Sequence, residues 1–105
     1  MIKEAYCSFE VAKLLKDKGF DEPCTELNKL CLRDGEKPVL KVTHQKAMKW
    51  LRQEKNIIIN VWYNGVDWNA EYYNNETENF YLITTSSCNS YEEAVEAALK
   101  YVLKN

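Results

Sequence analysis

The chain has 105 residues, 46% of them apolar, 12% aromatic and 29% charged, with a net charge of −2. That balance excludes a disordered chain, and the length suits one globular domain, residues 1–105, which buries roughly 65% of the surface its unfolded form exposes and needs neither metal nor disulfide to fold. No apolar run approaches a membrane span, and the opening Met1-Ile-Lys-Glu-Ala-Tyr6 lacks the apolar core of an export signal, so a cytoplasmic protein is expected.

Taken in order, Ser8 is the expected cap of a first helix that runs to about Lys18, with Val11, Leu14 and Leu15 on its apolar side. Gly19 then suits the left-handed position after a helix, and Phe20 can fold back on Leu15. Pro23 stops any helix. The stretch Thr25–Cys31 reads either as a helical turn or as the approach to a strand, and two weak strands, Leu30–Arg33 and Val39–Val42, are favoured around Asp34-Gly35. Thr43 is the expected cap of a second helix reaching about Lys55, with Ala47, Met48, Trp50 and Leu51 inward and Lys46, Lys49, Arg52 and Lys55 outward.

The densest signal is Ile57–Tyr73. An Asn64-Gly65 pair favours a two-residue type I′ hairpin, which sets Tyr63 opposite Val66, Val61 opposite Trp68, Ile59 opposite Ala70 and Ile57 opposite Tyr72. All eight of these residues are expected in the core. The other face then carries Ile58, Asn60, Trp62, Asp67, Asn69, Glu71 and Tyr73. A polar loop over 74–79 leads to a third strand, Phe80–Thr85, completing an antiparallel meander. Ser90 and Glu93 form a capping box that opens the last helix, whose apolar arc is Tyr91, Ala94, Val95, Ala98, Leu99, Tyr101 and Val102. The fold class is therefore α+β: a three-stranded antiparallel meander with three amphipathic helices, in the order α, weak β, α, β, β, β, α.

Three of these segments, Ser8–Lys16 with Gly19-Phe20, Ala47–Arg52 and Tyr91–Tyr101, resemble small uncharacterised accessory proteins carried by gut-bacterial genomes, their phages and prophage-like elements. The resemblance implies an intracellular accessory protein of a mobile element. It assigns no activity and no site residue.

The sequence supplies little chemistry. Cys24, Cys31 and His44 lack the close pairing that lets one turn present two metal ligands, and no cofactor is expected. His44, just after a helix cap, reads as solvated or capping. A nucleophilic pair would have to join Cys24 or Cys31 to His44, the only histidine. Three isolated glycines cannot cradle a phosphate, and the acids Glu92 and Glu93 in a helix's first turn favour the helix dipole.

Charge is uneven. Residues 1–56 hold twelve Lys/Arg against nine Asp/Glu, residues 57–105 hold two against seven, and no Lys or Arg lies between Ile57 and Leu99. This reads as solvated faces, or as an acidic surface for a basic partner or for head-to-tail self-association. A protein-binding or self-associating module is the favoured function, with Ile58, Trp62 and Tyr73 as its contact residues if the helices cover only one face of the sheet. If helices cover both faces, the three residues are core. The competing reading is a nucleic-acid-associated protein that uses Lys46, Lys49, Arg52 and Lys55, with a Cys/His enzyme third.

Overall fold

The computed structural model describes residues 4–20 and 30–104. Its elements are α1 (Phe9–Asp17), β1 (Leu30–Cys31), β2 (Val39–Leu40), α2 (His44–Glu54), β3 (Ile57–Tyr63), β4 (Trp68–Asn74), β5 (Asn79–Cys88) and α3 (Tyr91–Lys104). This is the expected α+β order, with β3-β4-β5 as an antiparallel meander and β1-β2 as a separate two-residue ladder. Cys24 and the alternative helical turn from Thr25 fall largely outside the described residues.

Local chemistry accounts for the helix ends. Ser8 Oγ accepts from Val11 N–H at 3.2 Å and Thr43 Oγ1 from Lys46 N–H at 3.1 Å, each satisfying one of the free donors of a first turn. Ser90 Oγ accepts from Glu93 N–H at 3.1 Å, while the Glu93 carboxylate reaches one residue further back than a capping box requires, to Asn89 N–H at 3.2 Å. α1 ends as a Schellman motif: Phe20 N–H donates to Leu15 O at 2.9 Å, Gly19 N–H to Lys16 O at 3.1 Å, and Gly19 adopts φ +105°. Space is not the constraint at Gly19, since an added Cβ meets nothing within 4 Å. Gly19→Ala is therefore expected to cost about 1 kcal/mol, purely from left-handed backbone strain. Urea denaturation checks this, and an unchanged midpoint would refute it.

The β3–β4 hairpin differs from expectation by two residues. Tyr63 faces Trp68, Val61 faces Ala70, Ile59 faces Tyr72 and Ile57 faces Asn74. The turn is centred on Gly65-Val66: Asn64 Oδ1 accepts from Val66 N–H at 2.9 Å and Asp67 N–H at 2.8 Å, and Asn64 N–H donates to Asp67 O at 3.1 Å. Asn64 acts through its side chain and keeps a negative φ, so Gly65 alone takes the positive φ, +96°. A shift of two preserves side-chain parity, so the division into faces stands although the pairing changes.

All three described helices lie on one face of the sheet. α3 crosses β3, β4 and β5, with α1 and α2 packed against it and α2 also against β3. Ala70 and Ile83 from the sheet meet Val11, Leu15, Leu51, Val95, Ala98 and Leu99 in the buried core. Ala70 and Ala98 carry no exposed surface, and small residues there let α3 approach the strands closely. Of the eight hairpin residues expected in the core, only Ala70 is fully buried. Ile57, Ile59, Val61, Trp68 and Tyr72 are half-buried, while Tyr63 and Val66 project into solvent at the turn, beyond the reach of the helices.

Candidate functional site

With the described helices on one side, the opposite face of the sheet is left open by the described residues. Ile58 on β3 pairs with Tyr73 on β4, which pairs with Phe80 on β5, making an apolar row across all three strands. The Tyr73 and Phe80 rings are 4.7 Å apart. Beside that row, Asn60 pairs with Glu71 and Glu71 with Leu82, while Trp62 pairs with Asn69. Ile58 is 41% exposed, Phe80 70% and Leu82 68%, with Trp62 and Tyr73 half-buried. Isolated exposed apolar side chains are ordinary on a protein surface, but adjacent ones in register across three strands form a patch of the kind that marks contact surfaces.

Phe80 and Leu82 join this face although the sequence did not reveal it. Phe80-Tyr81-Leu82-Ile83 is apolar throughout, so no alternation tells the two faces apart. The Asn74–Asn79 turn decides it. Asn74 Oδ1 accepts from Glu76 N–H and Thr77 N–H, and Glu78 adopts φ +56°, which sets Phe80 beside Tyr73 and Tyr81 beside Tyr72.

The other residues singled out by the sequence lie elsewhere. Lys46, Lys49, Arg52 and Lys55 are exposed on the outer side of α2, with Lys55 Nζ 5.5 Å from the centre of the Trp50 ring. Because α2 covers the core face, this basic stripe is separated from the aromatic open face by the body of the protein. Cation and stacking platform do not share one groove, as a single-strand binder would need.

His44 is not solvated: it is only 5% exposed. Residues 5–7 run antiparallel to 42–44, through Cys7 N–H to Val42 O at 2.7 Å and His44 N–H to Ala5 O at 2.9 Å. That pairing brings the starts of α1 and α2 together over Glu96 of α3. Glu96 Oε2 accepts from His44 Nε2 at 2.7 Å and Oε1 accepts from Ser8 N–H at 3.0 Å. A carboxylate between two helix N-termini also meets the positive ends of both dipoles. Burial pushes the Glu96 carboxyl up, but the hydrogen bonds from His44 and Ser8 outweigh it and hold the group below its ordinary 4.5.

This cluster ties the starts of α1 and α2 to α3. His44 Nδ1 is buried with no hydrogen-bond partner among the described residues, so no described cysteine is activated by it. Cys31 is a half-buried free thiol in β1. Burial, and then the charge of Glu96, push the Cys7 thiol up to about 12, the reverse of what a nucleophile needs. Among the described residues no group of three His, Cys, Asp or Glu is arranged to hold a metal ion. A groove between α1 and the β1–β2 turn, lined by Phe9, Lys13, Lys16, Asp17, Glu36 and Lys37, has its charges mixed and part-paired, with Lys13 Nζ 3.3 Å from Glu36. Nothing in the spacing of His44 and Glu96, fifty-two residues apart, signals their pairing beforehand.

No described helix is long and apolar enough to cross a membrane. No protein-family model, curated protein or solved structure matches the chain.

Proposed function

We propose that this chain is a non-catalytic protein-binding module, an intracellular accessory protein of a mobile element, and that its docking surface is the open face of the sheet. The observation that carries this reading is the apolar row Ile58, Tyr73 and Phe80, extended by Trp62 and Leu82 and left uncovered by the three described helices. The residues expected to contact the partner are thus Ile58, Trp62 and Tyr73, with Phe80 and Leu82 added. Aromatic side chains are enriched in interface cores, and Trp62, Tyr73 and Phe80 supply them here.

The test separates binding from folding. Phe80→Ser with Leu82→Ser removes two exposed side chains and is expected to change stability by no more than about 1 kcal/mol. Proteins retained from the host cytoplasm by the unaltered chain should be lost by at least about tenfold with this variant. Trp62→Ala should act in the same direction. If Trp62→Ala instead costs roughly 3–5 kcal/mol, as a core aromatic does, the face is structural and the proposal fails.

A further inference from the structure

Resting on that reading, we propose that the partner docks through a basic, apolar segment that sets an arginine against Glu71. Glu71 stands on the central strand, on the open face, with Asn60 and Leu82 beside it on the neighbouring strands and Asn69 and Tyr73 on the same face of its own. Glu71 is half-buried, and its carboxylate reaches solvent and accepts a hydrogen bond from Asn60 Nδ2 at 3.2 Å, the one donor to it among the described residues. No Lys or Arg occurs from Ile57 to Leu99, so none of the three strands offers a cation to it.

Any partner that covers Ile58, Tyr73, Phe80 and Leu82 also takes Glu71 out of water. Burying a carboxylate with a single neutral donor is strongly unfavourable, and a purely apolar partner would leave it so. A second copy laid face to face brings only another acidic, cation-free sheet. The basic side of α2 from a second copy brings cations but little apolar surface, since its exposed positions are Gln45, Lys46, Lys49, Arg52, Gln53, Glu54 and Lys55, and Trp50 beside Lys55 is half-buried. Phosphate is repelled. A guanidinium meets both requirements, because it pairs with a carboxylate in two parallel hydrogen bonds and stacks on aromatic faces such as Tyr73 and Trp62. Apolar residues on either side of the arginine then cover the remainder of the face.

Three synthetic amphipathic peptides test this by calorimetric titration: one of leucine and arginine, and matched copies with glutamine or glutamate for arginine. The arginine peptide is expected to bind at least about tenfold more tightly than the glutamine peptide. Glu71→Gln should abolish that preference, while Glu92→Gln, on the exposed side of α3, should leave it intact. Equal affinity for the arginine and glutamine peptides, or a preference that survives Glu71→Gln, overturns the basic partner but leaves the docking face standing if Phe80→Ser with Leu82→Ser still weakens both. No binding of the arginine peptide overturns the inference, and the docking face falls with it only if retention of host proteins also ignores Phe80 and Leu82. A dimer in sedimentation that requires Phe80 and Leu82 makes a second copy the occupant and overturns it as well.

Discussion

Glu96→Ala should destabilise the protein by about 3 kcal/mol, more than any other removal of a single polar group from the described residues. The carboxylate satisfies His44 Nε2 at 2.7 Å and the backbone N–H of Ser8 at 3.0 Å. Its loss leaves both ring nitrogens of His44 buried without a partner, since Nδ1 has none already. It also removes the joint that ties the starts of α1 and α2 to α3. Outside this joint, α1 and α3 are held by the buried core they share, and the further polar contact between them among the described residues is the exposed pairing of Glu10 with Lys100 and Lys104, a type that contributes little in water. Denaturant titration at neutral pH measures the loss, and a value below about 1 kcal/mol would show that the joint relaxes without cost.

The same group sets a pH dependence whose sign follows from its depressed pKa. Because the folded-state value lies below the ordinary 4.5, the unfolded chain takes up this proton first as pH falls. The stabilisation is complete above the unfolded value and is lost as pH falls through the folded one. Glu96→Gln cannot titrate. Its stability gap to the unaltered protein should therefore be widest near neutrality and close on the acid side of 4.5. A gap that stays constant to low pH would show that Glu96 titrates alike in the folded and unfolded chain, so that His44 and Ser8 do not favour its ionised form.

Leu99→Ala is the second large effect, expected near 3 kcal/mol within the roughly 2–5 kcal/mol span of buried leucine truncations. Leu99 has no exposed surface and lies on the helix that crosses all three strands and meets both other helices. Neighbours held by two sides of the core cannot collapse into the space it leaves, so the cavity cost adds to the lost burial. The comparison with Trp62→Ala is instructive. The larger side chain, half-buried on the open face, should cost less stability than the smaller one enclosed by three layers. Denaturant midpoints of the two variants measured side by side decide this, and the reverse order would mean that the open face is covered.

Much of the framework is readable from short stretches of chain. Ser8, Thr43 and Ser90 each cap the helix they precede, and Gly19 with Phe20 ends α1 as its residue types require. The hairpin was displaced by two residues because Asn64 closes the turn with its side chain, a choice that residue type alone leaves open. Its faces survived because an even shift keeps every side chain on its own side. Phe80 and Leu82 cannot be assigned to a face from residue order, because four consecutive apolar residues carry no alternation.

Caps, turns and strand parity depend on interactions spanning three or four residues, and for those the order of residues along this chain is sufficient. Which face of the sheet the helices cover, and what His44 meets when it is buried, depend on groups far apart in the chain. Ser8, His44 and Glu96 acquire their relation only when three helix faces share one core, and the open face exists only because that core lies wholly on the other side of the sheet. Burial belongs to the assembled layers, because water is excluded by all of a residue's neighbours together and not by those adjacent to it in sequence.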